Sequence, residues 1–290
     1  MPRYRLALQA DSFNTVFRVS CDGATYLLRV GPARTIHEPG AALAEQAWTA
    51  SLADRGLRVP RVISALDGSA SVQVVARDVP GERECMLLTW QTGQPLRRPV
   101  ARQDVADLAL LCAQLHEASA AGNDRPAGVL DGRRLVHFKV PYLIDEAPGT
   151  IRDIFREAAA RAQHGLDKLW ATESGAPRLI HSDLTPNNVL RNRGRLAVID
   201  FQDLTWGHLQ QDLANTVFGI TRGVDIGDYL PAFRSNYEQI RPWPELDDEL
   251  LADLCATRRI AMLNLALFMN RPGLGEYLDR HGAALRAYVR

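Results

Sequence analysis

The chain has 290 residues, and its 34 Lys and Arg side chains balance its 34 Asp and Glu side chains. A nucleic-acid-binding protein usually carries a basic excess, so the charge gives no support for a nucleic-acid partner. The four cysteines are scattered without metal-ligand spacing, which favours reduced thiols and a cytoplasmic location. The most apolar run, residues 260–269, is about half the ~20 residues that span a bilayer, so no membrane segment is predicted.

The N-terminal part is predicted to consist mainly of strands. Alternating apolar residues indicate strands at 4–8, 16–21 and 25–30, the last two joined by the turn Asp22-Gly23. A helix is predicted over 41–54, followed by Gly56 at the position that commonly ends a helix. Residues 59–65 and 71–76 have the pattern of a further hairpin, and 86–90 that of a buried strand.

The rest of the chain is predicted to be mainly helical. Residues 105–119 form one amphipathic helix, 151–172 another, and helices are expected again from residue 226, including 246–254 and 257–268. Segment 120–148 is rich in Gly, Pro and Arg and is expected to form a loop over an acceptor site. It has four acidic and four basic side chains, so it lacks the acidic excess that would attract a polycation.

The chemistry is concentrated in residues 179–212. Two short apolar runs, 189–190 and 196–199, flank a turn in which Gly194 supplies the positive φ, the pattern of a β-hairpin. Asn188 enters the first strand and Asp200 leaves the second, so both are expected at the open end of the hairpin. Asp183 lies in the loop that leads into the first strand.

These residues match a template for phosphoryl transfer. The template needs one Asp to accept or orient the acceptor proton, and an Asn and a second Asp to hold Mg²⁺. The spacing His-x-Asp-Leu-x-x-x-Asn, followed by Asp-Phe, is the protein-kinase signature, and it is met from His181 to Phe201. We therefore predict Asp183 as the catalytic residue and Asn188 and Asp200 as metal ligands. The alternative is that these side chains only cap turns, as Asp and Asn often do.

The stretch resembles the aminoglycoside-phosphotransferase and choline-kinase-like family, the small-molecule relatives of protein kinases. Within that family, the run from Ile199 to Ala214 is similar to the branch of homoserine kinase-like and stress-response kinases. Three features differ from a protein kinase: Gln202 replaces the glycine of Asp-Phe-Gly, no Ala-Pro-Glu follows, and there is no room for a long activation loop. The resemblance covers nearly the whole chain. It implies a bilobal α+β protein-kinase-like fold, with a nucleotide lobe at 1–90, a hinge at 91–93 and a helical acceptor lobe at 94–290.

The resemblance also implies roles in the nucleotide lobe. The loop between the first two strands lacks glycine, but its Ser12 and Asn14 could meet the phosphates. Arg29 stands where the family usually has a Lys that reaches the α- and β-phosphates, and Glu45 is placed to pair with it. The alternative for Arg29 is a strand side chain in solvent. If the pair forms, replacing Arg29 should weaken ATP binding and leave thermal stability nearly unchanged.

Other positions receive more limited assignments. Backbone groups between Leu88 and Trp90 are expected to form hydrogen bonds with the edge of the adenine ring. His181 is expected to support the catalytic loop rather than act as a base, and Asp203 to assist the metal or face the acceptor. Asp212 is expected to be a structural cap of the helix that follows it.

Together these features predict an enzyme that uses ATP and Mg²⁺ to phosphorylate a hydroxyl of a small molecule, with homoserine, aminoalcohols and antibiotic-like compounds as candidate acceptors. Cationic antibiotics are expected to be poor acceptors because of the even charge of segment 120–148. A Ser/Thr protein kinase of the stress-response type and a non-catalytic nucleotide-binding pseudokinase are the alternatives. No feature of the sequence indicates an oligomeric state.

Overall fold

The computed structural model describes residues 4–96, 99–119, 121–171, 175–221, 227, 229–270 and 272–290. Its N-terminal part is a six-stranded sheet in the order β1-β2-β3-β6-β4, with β5 also paired to β6. The strands are β1 Tyr4–Asp11, β2 Thr15–Cys21, β3 Ala24–Val30, β4 Val62–Ile63, β5 Val72–Val74 and β6 Arg83–Thr89. All pairings are antiparallel, which fits the short turns that connect the first three strands.

The predicted hairpin at 59–65 and 71–76 is wrong in its pairing. β4 and β5 do not pair with each other, because each pairs with β6: Val62 lies opposite Leu88, and Val72 lies opposite Cys85. β6 is long enough to accommodate both short strands in succession along one side. The two segments therefore extend the sheet instead of forming a separate ribbon.

The helix α1, Ala41–Asp54, covers the predicted residues. After β6 the chain reaches the short strand β7, Gln94–Pro95, which pairs with the strand β10 at Val189–Asn192. Gly93 precedes β7 with φ of 148°, and a Cβ there would lie 2.9 Å from the Cβ of Leu190. Only a glycine lets the backbone approach β10 this closely, so the connection between the two parts of the chain is held against the strand that follows Asn188.

The C-terminal part is built from helices, which confirms the predicted α+β architecture. They are α2 Arg102–Ala118, α3 Gly149–Ala171, α4 Leu209–Thr221, α5 Leu230–Tyr237, α6 Asp248–Met269 and α7 Leu274–Val289. The two helices predicted at 246–254 and 257–268 are one continuous helix, α6. Among the described residues, no helix has both the length and the apolar character needed to cross a membrane.

Segment 121–148 is more buried than its composition suggests. It contains the short strand β8, Leu130–Asp131, and a 3₁₀ turn at Ile144–Glu146. β8 belongs to a three-stranded sheet with β9, Arg178–Ile180, and β12, Thr205–Gly207, in the order β8-β12-β9. The apolar side chains Leu130 and Phe138 of the segment pack with Ile36 in a small cluster. Since Ile36 precedes α1, this cluster ties the N-terminal part to the segment expected to cover the acceptor site.

A larger core lies directly beneath the predicted site. Trp48 and Leu52 of α1 pack in one cluster with Leu108 of α2 and with Leu184 and Phe201, which flank the catalytic residues. The rings of Trp48 and Phe201 meet edge to face with centroids 5.4 Å apart. Residues next to Asp183 and Asp200 are therefore anchored in close-packed apolar surroundings, which limits their movement.

Candidate active site

The predicted hairpin is present and places its two polar residues as expected. A 3₁₀ turn, Pro186–Asn188, leads into β10, and β10 pairs antiparallel with β11, Arg195–Val198. The pairing continues past the strand ends, because the amide of Ile199 donates to the carbonyl of Asn188 over 2.9 Å. Asn188 and Asp200 therefore lie side by side at the open end.

Asp183 is held by contacts to both carboxylate oxygens. Nδ2 of Asn188 donates to its Oδ2 over 2.7 Å, and Nη2 of Arg258 donates to its Oδ1 over 2.7 Å. Burial raises the pKa of Asp183 to about 7, and Asp203 and Asp200 add to the rise while Arg258 opposes it. A carboxylate with this pKa is suited to exchange a proton near neutral pH.

Asp212 fixes the backbone around Asp183. The prediction that Asp212 has a structural role holds, but the prediction that it caps the helix is wrong. α4 begins at Leu209, so Asp212 lies inside its first turn instead of capping it. Its buried carboxylate accepts hydrogen bonds from the amides of Ser182, at 2.7 Å, and His181, at 3.2 Å. Ser182 has φ of 67°, a left-handed conformation that a serine adopts at an energetic cost. The bonds to Asp212 hold this strained turn in place.

Two histidines extend this network. Nε2 of His116 donates to Asp212 over 3.1 Å, while its Nδ1 lies 2.8 Å from the hydroxyl of Tyr237. Nε2 of His181 donates to the carbonyl of Ile199, and its Nδ1 accepts the amide of Asp183. Burial lowers the pKa of His181, which favours the neutral ring that this pattern requires. The expectation that His181 supports the loop is confirmed.

Asn188 and Asp200 have side chains that are suited to bind a divalent cation, which would also bind the phosphates of a nucleotide. Because Nδ2 of Asn188 is used by Asp183, its Oδ1 is the atom that remains for a metal. Asp200 is exposed at the rim of the cleft with φ of 65°, and its Oδ1 accepts from the side chain of Gln202 over 2.9 Å. An amide oxygen and a carboxylate are ligands of the type Mg²⁺ prefers, with water and phosphate completing its shell. Within the described residues there is no cluster of three or more His, Cys, Asp or Glu side chains that could hold a metal.

Arg29 and Glu45 form the predicted pair. The guanidinium of Arg29 donates to both oxygens of Glu45, with distances of 3.0 and 2.5 Å. The two side chains are only 12% and 2% exposed, so Arg29 does not project into solvent. Its positive charge is close enough to Asp200 to interact with it, which places the cation beside the predicted metal site.

The other predicted nucleotide residues divide into two groups. Ser12 and Asn14 line the same cleft as Asp183, and the amide of Ser12 donates to the carbonyl of Asn14 in a tight turn between β1 and β2. Trp90 follows the end of β6, where backbone groups leave the sheet. Leu88 is unsuited to bonding adenine, because its strand is flanked by β3 and β4 and its backbone groups point into the ladder.

Asp203 faces the cleft and pairs with a residue that the sequence did not indicate. Nε2 of His37 lies 3.0 Å from Oδ1 of Asp203. Burial by itself would raise the pKa of Asp203, but the hydrogen bond and the charge of His37 outweigh it and lower that pKa to about 2. The pair joins the segment before α1 to the catalytic region across 166 residues of sequence.

One cleft of about 570 Å³ has Ser12, Asn14, Asp183, Asn188 and Asp200 in its lining. Arg29 and Glu45 are not part of that lining, but the charge of Arg29 is close enough to Asp200 to interact with it. The far wall of the cleft is formed by α6 and α7, which sequence reasoning did not connect with the site. The wall includes Arg258, Arg259 and Arg280. A sequence signal existed for Arg258, which lies between buried apolar residues of α6, since an arginine in such a place is usually paired.

Known proteins resemble this chain over most of its length. Residues 6–257 match the sequence profile of the phosphotransferase enzyme family. A search of curated protein sequences gave no significant match. Among solved structures, the microcompartment-associated aminopropanol kinase is 22% identical with a TM-score of 0.73, over 99% of this chain and 90% of that one.

Two further structures show the same fold. Amicoumacin kinase hAmiN in complex with AMP-PNP, Ca²⁺ and Ami is 15% identical with a TM-score of 0.74, over 96% of this chain and 88% of that one. A thermostable mutant of aminoglycoside phosphotransferase APH(4)-Ia, in a ternary complex with ADP and hygromycin B, is 18% identical with a TM-score of 0.56. That match covers 97% of this chain and 93% of the other. The fold is thus that of protein-kinase-like small-molecule kinases, and the matched profile, which spans most of the sequence, shows that the chain belongs to the phosphotransferase enzyme family.

Proposed function

We propose that the protein transfers the γ-phosphoryl group of ATP to a hydroxyl of a small molecule. The observation that carries the proposal is the meeting of Asp183, Asn188 and Asp200 in one cleft with the Arg29–Glu45 pair beside them. We further propose residues 1–90 as the nucleotide lobe, 91–93 as the hinge and 94–290 as the acceptor lobe.

Each residue has a distinct task in this proposal. Asp183 orients the acceptor hydroxyl and takes its proton as the oxygen attacks, and its raised pKa suits that transfer. Arg29, aimed by Glu45, binds phosphate oxygens, while Ser12 and Asn14 lie over them. Oδ1 of Asn188 and the carboxylate of Asp200 would hold Mg²⁺, which neutralises phosphate charge when it is bound. Positioning and charge neutralisation account for most of the rate in such reactions.

The shape of the cleft supports a small acceptor rather than a protein. A volume of about 570 Å³ lies in the range of small-molecule sites. Side chains of α6 and α7 line this cleft together with Ser12, Asn14 and Asp183, so the acceptor proposed here would bind between them. The intact set of Asp183, Asn188 and Asp200 in turn supports catalysis over nucleotide binding alone.

The test is ATP-coupled turnover, measured as ADP release, against a panel of hydroxyl compounds and a generic protein substrate. We expect turnover that needs Mg²⁺ and is lost in Asp183→Asn, while that variant still binds ATP. Transfer to protein alone would support the protein-kinase alternative. ATP binding without turnover of any compound would support the pseudokinase alternative.

A further inference from the structure

The acceptor side of the cleft is lined by one face of α6 and one face of α7. From α6 come Arg258, Arg259, Met262 and Leu265, and from α7 come Tyr277, Arg280, His281 and Ala284. The spacing of three and four residues on each helix places these side chains on single faces that oppose each other. Three of them are arginines, and neither helix contributes an acidic residue to the lining.

The carboxylates elsewhere in the cleft already have a partner or an assigned role. Asp183 binds Arg258, and Asp203 binds His37. Asp200 lies at the nucleotide end and is assigned to the metal. None of the three is left to neutralise Arg259 or Arg280.

Arg259 is a partly buried cation without a carboxylate partner among the described residues. Its Nη1 donates to Nδ1 of His281 over 2.8 Å, and its guanidinium lies over the ring of Phe218 at 4.9 Å. Burial lowers the pKa of Arg259, which shows that its charge is poorly solvated. A desolvated guanidinium that meets only neutral groups is a favourable place for an anion to bind.

Arg258 provides a second, independent indication of a ligand. Its side chain is 6% exposed, and its Nη2 binds Asp183. Its Nη1 is buried and has no hydrogen-bond partner among the described residues. Buried donors without a partner are rare in folded proteins, and this one lies beside the catalytic carboxylate. An oxygen atom of the acceptor would satisfy it.

We propose that the acceptor carries an oxyanion group, a carboxylate or a phosphate, in addition to the hydroxyl that is phosphorylated. Arg259 and Arg280 bind the oxyanion while Asp183 holds the hydroxyl, and Nη1 of Arg258 donates to the acceptor between them. This inference rests on the proposed phosphoryl transfer. It extends the expectation that cationic antibiotics are poor acceptors, because the walls of the cleft would repel additional positive charge.

The experiment uses matched acceptors that differ only in the anionic group. ADP release is measured with L-serine against L-serinamide, L-threonine against L-threoninamide, glycolate against glycolamide, and glycerol phosphate against glycerol. The first three pairs test for a carboxylate and the last for a phosphate. Kanamycin and simple aminoalcohols are tested in the same assay as cationic acceptors. ATP·Mg²⁺ binding is measured separately by calorimetry.

We expect turnover of at least one acceptor that carries a carboxylate or a phosphate, with kcat/KM about tenfold or more above the partner that lacks this group. Arg280→Gln and Arg259→Gln should each raise KM for that acceptor by about tenfold or more, because each removes a charge-assisted hydrogen bond. Arg286→Gln is the matched control, since Arg286 is exposed on α7 and does not line the cleft. Thermal melting of each variant shows whether it is folded.

Three results would overturn the inference. They are a preference for neutral or cationic acceptors, an anionic preference that survives both cleft variants, and no turnover of any anionic acceptor by protein that binds ATP·Mg²⁺. The first two results would still demonstrate phosphoryl transfer. After the third, the proposed function stands only if a neutral or cationic compound is turned over. Failure to bind ATP·Mg²⁺ would instead overturn the proposed function itself, and the inference with it.

Discussion

Removing the side chain of Arg29 should destabilise the protein as well as weaken nucleotide binding. The carboxylate of Glu45 is 2% exposed, and both of its oxygens accept from Arg29. In Arg29→Met the carboxylate would remain buried without its cation. The sequence alone predicted nearly unchanged thermal stability, and the burial of the pair changes that expectation.

The size of the effect follows from the burial. Breaking a buried ion pair by removing one partner costs about 3–5 kcal/mol. At about 2 °C per kcal/mol for a chain of this size, Arg29→Met should lower the Tm by about 6–10 °C. Glu45→Leu should cost less, because the side chain of Arg29 is more exposed than that of Glu45, 12% against 2%, and its charge still interacts with Asp200. In the double variant the stability should return to within about 1 kcal/mol of wild type, since no buried charge is left.

The assay is urea unfolding of the two single variants and the double variant without nucleotide, followed by ATP·Mg²⁺ calorimetry. The matched control is Arg61→Met, which breaks the ion pair with Asp54 at the end of α1, where the side chains are 51% and 71% exposed. That change should cost no more than about 1 kcal/mol. ATP binding should be weakened in both variants that lack Arg29, whatever their stability. If Arg29→Met is as stable as wild type, or if the double variant binds ATP normally, the reasoning is refuted.

The remaining predictions concern Asp183, Asp200 and Asp212. Asp183→Asn should keep ATP binding and lower kcat by about 10²–10⁴-fold, because the proton acceptor is removed; kcat within a few-fold of wild type would contradict the assignment. The change also removes the carboxylate that pairs with the buried Arg258, so thermal melting is needed to show that the variant is folded. Asp200→Ala should abolish the tightening of ATP binding by Mg²⁺, and calorimetry that still shows the tightening would place the ligand elsewhere. Asp212→Asn should lower the free energy of unfolding by about 2–3 kcal/mol, since one carboxylate oxygen that accepts a buried hydrogen bond is replaced by a donor. Urea unfolding checks this, and an unchanged midpoint would show that Ser182 and His116 do not depend on it.

The residues proposed to bind the nucleotide and the metal could be located from the sequence because their signals are local. Asn188 and Asp200 belong to one hairpin, whose turn and apolar runs are visible in the sequence. The pairing of Arg29 with Glu45 was implied by the resemblance to the family, and the two residues lie on adjacent elements only 16 residues apart. The error at Leu88 has a different cause: which strands flank β6 depends on pairing that periodicity does not reveal.

The partners of Asp183 and Asp203 could not be predicted from the sequence. Arg258 meets Asp183 across 75 residues, and His37 meets Asp203 across 166. Such contacts depend on how whole helices pack, whereas amphipathic periodicity reports only which face of a helix is buried. The role of Asp212 was misjudged for a related reason. Its helix begins at Leu209, and its partners are amides of a loop that precedes the helix by about thirty residues.

The two sides of the cleft are built from different elements, and this bears on how the enzyme selects its acceptor. The groups assigned to phosphoryl transfer come from the sheet, α1 and the hairpin, and their geometry is fixed by the bonds of Asp212 and by the Arg29–Glu45 pair. The groups on the acceptor side come from α6 and α7, which reach the catalytic residues mainly through Arg258. Changes in the charge of that wall can therefore alter which molecule is phosphorylated without disturbing the nucleotide half. Because a fold shared with other kinases does not determine the acceptor, the arginines of this wall are a better guide to the substrate than the similarity in overall structure.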